Sequence, residues 1–344
     1  MRVLVTGASG LLGRVTAQRL MARGDEVTVL QRRPAALPCA EVLGDVADRS
    51  AVARAVAGQD AVVHLAAKVD VTGPWDEYPR AHIEGTTNVL ATCAAAGVRR
   101  VVHVSSPSVA HAGTPLMGAG ADPADPARAR GNYSRSKAVA EQEALAADSA
   151  ALAVLVVRPH LVWGPGDEQL VARIVTRAES GRLPLIGSGA ALIDTTYVDN
   201  AAAALVAAVD VCGAVHGEAL VVSNGEPRPV GDILRRLCSA SGSPPPRGRI
   251  PVPAAWLAGA AVEGLWTATR RRSTPPLTRF LTEQLSTAHW FDQRRTRAAL
   301  GWRPEIGLDE GFARLATWYA GTASGTGGTA EQDGHVPGPE RVRA

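Results

Sequence analysis

The sequence predicts an α/β fold in which helices cover both faces of a doubly wound parallel sheet, with a smaller lobe toward the C terminus. The first observation is a set of apolar runs without polar alternation, a pattern typical of strands buried on both faces. The second is that alanine-rich helical segments separate these runs. The third is size. A chain of 344 residues with 46% hydrophobic content can form a large core, which excludes a disordered protein.

The predicted elements alternate from the N terminus onward. Apolar runs predict strands at residues 3–6, 27–30, 61–65, 101–105 and 153–157. Helices are predicted between them at residues 11–23, 50–57, 85–96 and 133–148. A strand, a helix and a second parallel strand form a βαβ unit, and a series of such units builds a doubly wound sheet.

A glycine-rich segment joins the first predicted strand to the first predicted helix. Gly7 permits a tight turn, Gly10 lets backbone amides approach a pyrophosphate, and Gly13 allows the helix to pack closely on the strand. The N terminus of the helix adds a partial positive charge that favours phosphate. In a βαβ series this spacing predicts a Rossmann-type dinucleotide site. The residues expected to line it are Gly7, Ser9, Gly10, Leu11, Leu12 and Gly13.

The end of the second predicted strand favours NADP(H), with NAD(H) as the alternative cofactor. An acid about 20 residues past the glycines would bind the ribose 2′-hydroxyl of NAD, but this strand ends in Gln31-Arg32-Arg33. A guanidinium can instead pair with a 2′-phosphate through two hydrogen bonds. In an arginine-rich chain, the same two residues can also be a solvated surface pair. Asp45, after the next predicted strand, is expected to accept a hydrogen bond from the adenine amino group.

A tyrosine and a lysine one helical turn apart predict a catalytic pair. Tyr133 and Lys137 lie on one face of a predicted helix, and Lys137 is one of two lysines against 34 arginines. An ammonium beside a phenol lowers the phenol pKa from its usual value of about 10. Upstream, a strand ends in Ser105-Ser106, where a hydroxyl can bind a substrate carbonyl. A Tyr-Lys pair at this spacing usually marks an ordinary helix, but the dinucleotide motif favours the catalytic interpretation.

A change of pattern after Arg158-Pro159 predicts the domain organisation. Residues 1–160, with a return segment at about 195–224, are expected to form the dinucleotide-binding domain. Residues 161–194 and 225–320 are expected to form the substrate lobe. The Gly-, Thr-, Ala- and Pro-rich residues 321–344 predict a disordered tail.

Charge and cysteine usage exclude several other classes of function. A net charge of +3 gives no reason to expect a nucleic-acid partner. The four cysteines lack metal-ligand spacing, so we expect no metal site, reduced thiols and a cytoplasmic location. The apolar stretch 252–268 is short for a membrane span, which needs about 20 residues. We expect it to form a helix packed on the substrate lobe. The alternative is a helix that contacts a membrane surface or a partner enzyme.

Taken in order, several motifs resemble those of the extended short-chain dehydrogenase/reductase family. They are the TGASGLLG segment, Gly44-Asp45, His64-Leu65-Ala66-Ala67, Ser105-Ser106, the Tyr133/Lys137 pair and Arg158-Pro159. The segment Ser105-Ser-Pro-Ser-Val109 narrows the resemblance to the 3β-hydroxysteroid dehydrogenase branch. Four further segments are similar to bacterial 2-alkyl-3-oxoalkanoate reductases of olefin and β-lactone biosynthesis, at residues 158–167, 194–200, 223–227 and 275–280. The resemblance runs from residue 1 to about residue 318.

This resemblance implies an NADPH-dependent reduction of a 2-alkyl-3-oxo long-chain fatty acid to the 3-hydroxy acid. Ser106 would orient the carbonyl, Tyr133 would protonate its oxygen, and Lys137 would tune Tyr133 and hold the nicotinamide ribose. Further contacts with the cofactor are expected at Val46, Ala66 and Pro159. The alternative within the family is a 3β-hydroxysteroid or sterol-4-carboxylate 3-dehydrogenase. The alternative of another class is a regulatory protein that only binds NADP, against which the Tyr-Lys pair argues.

Three residues are candidates for substrate contact. His82 stands where the family commonly has Asn, and it either donates a hydrogen bond in the site or is a packed histidine. Lys68 follows a predicted strand at its carboxyl end, so we expect it to pair with a substrate carboxylate; the alternative is an ordinary surface lysine. Trp163 and the 256–266 region are expected to line an apolar pocket. We expect an apolar small-molecule substrate, and contact with a second subunit or with pathway enzymes.

Overall fold

A computed structural model describes residues 1–69, 73–111, 113–269 and 275–325. Its strands are β1 (Arg2–Thr6), β2 (Glu26–Gln31), β3 (Ala40–Leu43), β4 (Ala61–His64), β5 (Arg100–Val104), β6 (Leu116–Ala119), β7 (Ala153–Pro159), β8 (Val162–Trp163), β9 (Leu185–Ile186), β10 (Leu192–Ile193), β11 (Thr196–Tyr197), β12 (Glu218–Val222), β13 (Arg228–Pro229), β14 (Arg249–Ile250) and β15 (His289–Phe291). Its α-helices are α1 (Leu11–Ala22), α2 (Arg49–Val56), α3 (Gly85–Ala96), α4 (Gly131–Ala146), α5 (Val171–Glu179), α6 (Val198–Val211), α7 (Val230–Ala240), α8 (Val252–Ala268), α9 (Arg279–Ser286), α10 (Arg294–Leu300) and α11 (Leu308–Gly325).

Seven strands form the predicted parallel sheet, in the order β12-β7-β5-β4-β1-β2-β3. The first strand therefore lies between β4 and β2, and the direction in which strands are added reverses beside it. The strand register pairs Thr6 of β1 with His64 of β4, and Val5 of β1 with Val29 of β2. The carboxyl ends of β1, β2 and β4 therefore lie at the same level. Open α/β sheets bind ligands at such a reversal, outside the carboxyl ends. The fold prediction is confirmed.

Successive residues of the central strands pack into two different cores. Val3 and Val5 are fully buried on the side that holds α1 and α6. Leu4 is fully buried on the opposite side, with α2 and α3. Because side chains alternate between the faces of a strand, a sheet covered on both faces needs apolar residues at every position. This requirement explains the unbroken apolar runs in the sequence.

A third core forms the smaller lobe around α5, α7 and α11. Two elements lie across the boundary that the sequence predicts. The strand β6 belongs to the first 160 residues but joins the small sheet β13-β10-β15-β6. The helix α10 belongs to the predicted substrate lobe, but Leu300 at its end packs in the core of the large sheet. The domain boundaries stay a prediction, with these two exceptions.

The C-terminal part of the chain differs from the prediction in one respect. The helix α11 continues to Gly325, five residues into the segment predicted as a disordered tail. Residues 326–344, which include the rest of that segment, lie outside the described residues.

The apolar stretch 252–268 forms the helix α8, as predicted. It packs closely on the start of α9, since a Cβ on Gly259 would lie 2.8 Å from the Arg279 nitrogen. Its other side is open, with Leu257 64% and Leu265 52% exposed. Within the described ranges, no helix combines the length and the apolar character needed to cross a bilayer. Arg270, Arg271 and Arg272, which follow α8 in the sequence, are outside the described residues.

Candidate active site

The glycine-rich turn after β1 has the geometry that its sequence predicts. Gly7 has φ +78°, and a Cβ there would lie 2.9 Å from the backbone of Ala66. A Cβ on Gly13 would lie 2.4 Å from the Gly7 carbonyl oxygen, so only glycine lets α1 pack this closely. A Cβ on Gly10 would meet nothing nearer than 3.5 Å, which leaves room for a ligand against the backbone.

The start of α1 offers backbone amides to an anion. Ser9 and Gly10 are exposed, and no side chain caps this helix. The first amides of a helix have no partner within it and carry a partial positive charge. Leu11 and Leu12 are half-buried in this first turn. These residues fit the pyrophosphate of a dinucleotide, which Gly7, Gly10 and the first turn of α1 would hold.

The loop after β3 is fixed by hydrogen bonds within the chain. The amide of Asn88 donates to the carbonyls of Val46 at 3.2 Å and Ala47 at 3.1 Å. Asp45 Oδ1 accepts from the Ala47 backbone at 3.0 Å, and Asp45 Oδ2 lies 3.4 Å from a guanidinium nitrogen of Arg80. The adenine contact of Asp45 stays a prediction, and its carboxylate already has partners in the loop.

The two arginines after β2 are exposed and available. Neither Arg32 nor Arg33 forms an ion pair or hydrogen bond with the described part of the chain. Gln31 is buried and donates to Glu41, which also accepts from the Ala35 amide at 2.8 Å. No sequence motif singles out Glu41. Its carboxylate stabilises the loop that presents the two arginines.

Ser106, Tyr133 and Lys137 come together at the carboxyl end of β5. The Lys137 ammonium donates to the Val104 carbonyl at 2.6 Å, directly under the end of the strand. The Ser106 side chain lies close enough to the Tyr133 hydroxyl to influence its pKa, and both residues line the same cavity. Ser106 Oγ also lies 3.0 Å from Ser108 Oγ and accepts from the Ser108 amide at 3.3 Å. The predicted trio is therefore assembled on one short strand end and the first turns of α4.

Burial determines the protonation of this pair. It raises the pKa of Tyr133 to about 12, against the opposing effect of the nearby Ser106 hydroxyl. It lowers the pKa of Lys137 to about 8. The sequence predicted that Lys137 would lower the pKa of Tyr133, and the shift has the opposite direction because desolvation penalises the phenolate. A phenol that stays protonated near neutral pH is suited to give its proton to a carbonyl oxygen.

His82 is both buried and hydrogen-bonded. It is 1% exposed and lies in a π-helical turn, Arg80–Glu84, with its ring edge-on to Tyr133 at a centroid distance of 5.5 Å. Ser136 donates to the Tyr133 carbonyl at 2.9 Å, so Ser136 Oγ accepts from His82 Nδ1 at 2.8 Å. His82 Nε2 then accepts from the Lys68 amide at 3.0 Å. This chain of bonds joins the loop after β4 to α4, and a role for His82 in positioning Tyr133 stays a prediction.

Replacement of His82 by Asn and replacement by Phe are expected to lower kcat to different extents. His82→Asn keeps a hydrogen-bonding side chain, as in the family pattern, and should retain kcat within about tenfold. His82→Phe removes the hydrogen bonds of His82 to Ser136 Oγ and to the Lys68 amide, which contribute about 0.5–1.5 kcal/mol each, and should lower kcat more than His82→Asn does. Steady-state kinetics with NADPH measure both variants, and thermal unfolding controls for folding. Equal kcat values in the two variants would remove His82 from the positioning of Tyr133.

Lys68 and Trp163, two of the residues predicted to contact the substrate, have partners within the chain. Lys68 Nζ lies 2.9 Å from Glu77 Oε2, so a substrate carboxylate would have to compete with that ion pair. Trp163 is fully buried in the core of the smaller lobe, where its indole donates to Thr195 at 3.0 Å and stacks on Phe312. The expectation that Trp163 contacts the substrate is corrected, because β8 turns this side chain toward α11 and away from the cavity.

An apolar cavity of about 350 Å³ opens beside Ser106 and Tyr133. Aliphatic side chains of α5, α7 and α9 supply much of its lining, including Ile174, Leu234, Leu237, Leu281 and Leu285. The Leu161 backbone at its wall has φ +43°, a strained conformation of the kind found at ligand sites. Neither Trp256 nor Trp266 of α8 contributes to this lining. The cavity suits a large apolar molecule.

A second set of polar residues, whose role no sequence pattern predicts, lies beneath the glycine-rich turn. Thr6 Oγ1 accepts from the backbone amides of Leu65 and Ala66 at 3.1 and 3.0 Å. Its own proton therefore goes to His64 Nδ1 at 2.8 Å. His64 Nε2 in turn lies 3.2 Å from Thr86 Oγ1. These bonds hold the ends of β1 and β4 together at the predicted cofactor contact Ala66. Pro159, a further predicted contact, is buried at the end of β7.

The fold and the site together define a Rossmann-type, dinucleotide-dependent oxidoreductase. The chain belongs to the NAD dependent epimerase/dehydratase family, whose model matches residues 3–223. The predicted family is confirmed.

Known relatives agree with this assignment. The chain is 43% identical to a 2-alkyl-3-oxoalkanoate reductase of Stenotrophomonas maltophilia over 324 residues, which cover 92% of this chain and 98% of the relative. It is 30% identical to a 3-beta-hydroxysteroid dehydrogenase of Mycolicibacterium neoaurum over 338 residues, 92% of this chain and 91% of that one. The solved structure of MoeE5 in complex with UDP-glucose and NAD is 26% identical. It has a TM-score of 0.71 and covers 94% of this chain and 100% of that chain. These relatives are oxidoreductases or NAD-binding proteins.

Proposed function

We propose that this protein reduces the 3-oxo group of a 2-alkyl-3-oxo long-chain fatty acid to a hydroxyl, with NADPH as the reductant. The observation that carries the proposal is the placement of Ser106 and Tyr133 on the wall of an apolar cavity, with the buried Lys137 beside them. The similarity to a 2-alkyl-3-oxoalkanoate reductase supports the substrate class. The cavity offers apolar surface to the alkyl chains.

The residues of this chain account for the proton that the reduction requires. When bound, the nicotinamide supplies the hydride that carbon 3 accepts. Ser106 Oγ donates a hydrogen bond to the carbonyl oxygen and fixes its position. Tyr133 gives its phenolic proton to that oxygen, and the Lys137 ammonium stabilises the phenolate that remains until solvent returns a proton. One hydride and one proton thus convert the ketone into the alcohol.

Identification of the product tests this proposal. Incubation of the purified protein with NADPH and a 2-alkyl-3-oxo acid should consume NADPH and yield an equal amount of the 2-alkyl-3-hydroxy acid, measured by mass spectrometry. Recovery of the unreacted acid and its spontaneous decarboxylation product alone would refute the proposal. The similarity to a 3-beta-hydroxysteroid dehydrogenase makes a 3β-hydroxysteroid or sterol carboxylate the second candidate substrate.

Preference for NADPH rests on the two unpaired arginines after β2. Replacing Arg32 and Arg33 with alanine together should raise the KM for NADPH at least tenfold, because a hydrogen bond to a charged group contributes about 1.5–3 kcal/mol. The KM for NADH, which has no 2′-phosphate, is the internal control and should change less than twofold. Initial rates over a range of both cofactors measure the effect. A native enzyme that prefers NADH would contradict this prediction.

Location and partners are proposed on two further observations. Cys39, Cys93, Cys212 and Cys238 are free thiols, which is typical of a reducing compartment and supports a cytoplasmic location. The exposed leucines of α8 support contact with a second subunit, a pathway enzyme or a membrane surface.

A further inference from the structure

Three histidines from distant parts of the chain line one region of the cavity wall. His111 follows the short helix that Ser106 caps, His160 follows β7, and His289 begins β15. They are 2%, 6% and 2% exposed. Their rings are neighbours, with centroids 5.1 Å apart for His160 and His289 and 6.3 Å apart for His111 and His289. We call His111, His160 and His289 the histidine cluster.

Four ring nitrogens of the histidine cluster have no hydrogen-bond partner in the described chain. They are both nitrogens of His111 and the Nδ1 atoms of His160 and His289. A buried polar group that lacks a partner costs about 1–3 kcal/mol, and buried polar groups in native proteins are rarely left unpaired. Several of them on one wall of a cavity indicate that a ligand supplies the missing hydrogen bonds. Among the described residues, no set of side chains is arranged to hold a metal ion.

The pairing of β5 with β7 places the histidine cluster next to Ser106. β5 and β7 are parallel neighbours, with Val104 opposite Val157 and the Ser105 amide bonded to the Val157 carbonyl. Ser106 and His160 therefore follow adjacent strand ends, and adjacent strands are about 4.8 Å apart. In a 3-oxo acid, the carboxyl carbon is two bonds from the carbonyl carbon. A carboxyl group must consequently bind close to Ser106 and Tyr133.

We propose that the histidine cluster binds the carboxyl group of the substrate, which makes the enzyme selective for 3-oxo acids over neutral ketones and esters. This inference rests on the proposed function. Neutral imidazoles offer both N–H donors and lone pairs. His289 Nε2 bonds to Gln284 Oε1 at 2.7 Å, so its Nδ1 presents a lone pair, and His111 presents one donor and one lone pair. An ionised carboxyl group only accepts hydrogen bonds. One proton from solvent, shared between a carboxyl oxygen and an imidazole nitrogen that presents a lone pair, therefore completes the hydrogen bonding.

Other cationic groups are poorer partners for this carboxyl group. Lys68 already pairs with Glu77 and is absent from the cavity lining. Arg173 and Arg177 do line the cavity, but both belong to α5 in the smaller lobe. Arg177 also donates to the Pro276 carbonyl at 3.0 Å. The histidine cluster combines unpaired nitrogens with a place in the cavity lining beside the end of β5.

The test compares binding of an acid with binding of its methyl ester. Calorimetry gives the Kd of a 2-alkyl-3-hydroxy acid in the presence of NADPH, a pair that cannot react because both are reduced. His111→Leu and His289→Leu should each raise the Kd of the acid at least tenfold, as expected for a hydrogen bond to a charged group. The Kd of the ester should change less than twofold. The unfolding temperature should be unchanged or higher, because leucine removes an unpaired buried polar group.

Two control variants sharpen this test. His111→Gln restores an N–H donor and should recover part of the affinity for the acid. His216→Leu removes a histidine outside the cavity, where its ring contacts Asp148, and should leave the Kd of the acid within twofold. Equal losses for acid and ester, or an unchanged Kd for the acid, would overturn the role of the histidine cluster. If the native enzyme turns over the acid but the leucine variants bind the acid as tightly as the native enzyme does, this inference is refuted while the proposed function stands.

Discussion

Replacement of Tyr133 by phenylalanine is expected to lower kcat by about 10²–10⁴-fold, the usual contribution of a positioned acid. The substitution removes only the hydroxyl that donates the proton. Burial raises the pKa of this hydroxyl to about 12, so it holds its proton throughout the neutral range. NADPH affinity should change less than twofold, because the glycine-rich turn and Lys137 are untouched. Single-turnover oxidation of NADPH and a fluorescence titration of NADPH measure the two quantities.

Ser134→Ala is the matched control for this substitution. Ser134 adjoins Tyr133 in α4 and is buried, and its hydroxyl has no hydrogen-bond partner among the described residues. Loss of this hydroxyl should leave kcat nearly unchanged. Near-normal turnover by the Tyr133→Phe variant would show that the proton comes from another group.

Replacement of Lys137 is expected to have the second largest effect on kcat/KM. Lys137 is also expected to give kcat/KM a characteristic pH dependence. Burial lowers its pKa to about 8, so the ammonium is present below pH 8 and is lost as the pH rises through that value. The ammonium stabilises the phenolate that forms when Tyr133 gives up its proton. The kcat/KM for reduction should therefore fall as the pH rises past about 8. Lys137→Met should lower kcat/KM by about 10²–10⁴-fold and abolish this limb of the profile.

Lys137→Arg separates charge from geometry. A guanidinium stays charged over the whole range, so the limb near pH 8 should disappear in this variant too. Its planar shape cannot reproduce the contact of the ammonium with the Val104 carbonyl, so activity should stay low. A native pH profile that is retained in the Lys137→Met variant would assign the limb to another group.

The parts of the site that were predictable are those built from local spacing. Gly7 and Gly13 lie in one strand–helix turn, where each glycine meets a backbone atom that only it can tolerate. Tyr133 and Lys137 lie one helical turn apart, so their common face follows from helix geometry. The sheet was predictable for the same reason, because burial on both faces leaves unbroken apolar runs.

The parts that were missed depend on contacts between distant segments. His111, His160 and His289 belong to three separate elements, and only the tertiary fold places their rings side by side. The pKa of Tyr133 could not be predicted from a neighbouring lysine, since burial decides its direction.

The surroundings of Trp163 and Lys68 also depend on contacts between distant segments. Trp163 is an aromatic in an apolar lobe, and the sequence does not tell whether such a residue lines a cavity or fills a core. Lys68 is rare by composition, yet it forms an ion pair with Glu77, which belongs to a short helix and lies nine residues later. Pairing and side-chain direction are properties of the packed chain.

The specificity constant for a 2-alkyl-3-hydroxy acid with NADP⁺ tests the central claim most directly. The reaction runs in the oxidative direction here, because the hydroxy acid does not decarboxylate as the 3-oxo acid does. The specificity constant for the acid should be compared with the specificity constant for a 3β-hydroxysteroid, both measured by the appearance of NADPH under identical conditions. We predict that kcat/KM for the acid exceeds that for the steroid at least tenfold and is lost in the Tyr133→Phe variant. A higher kcat/KM for the steroid, or oxidation of the acid that persists without the Tyr133 hydroxyl, would contradict it.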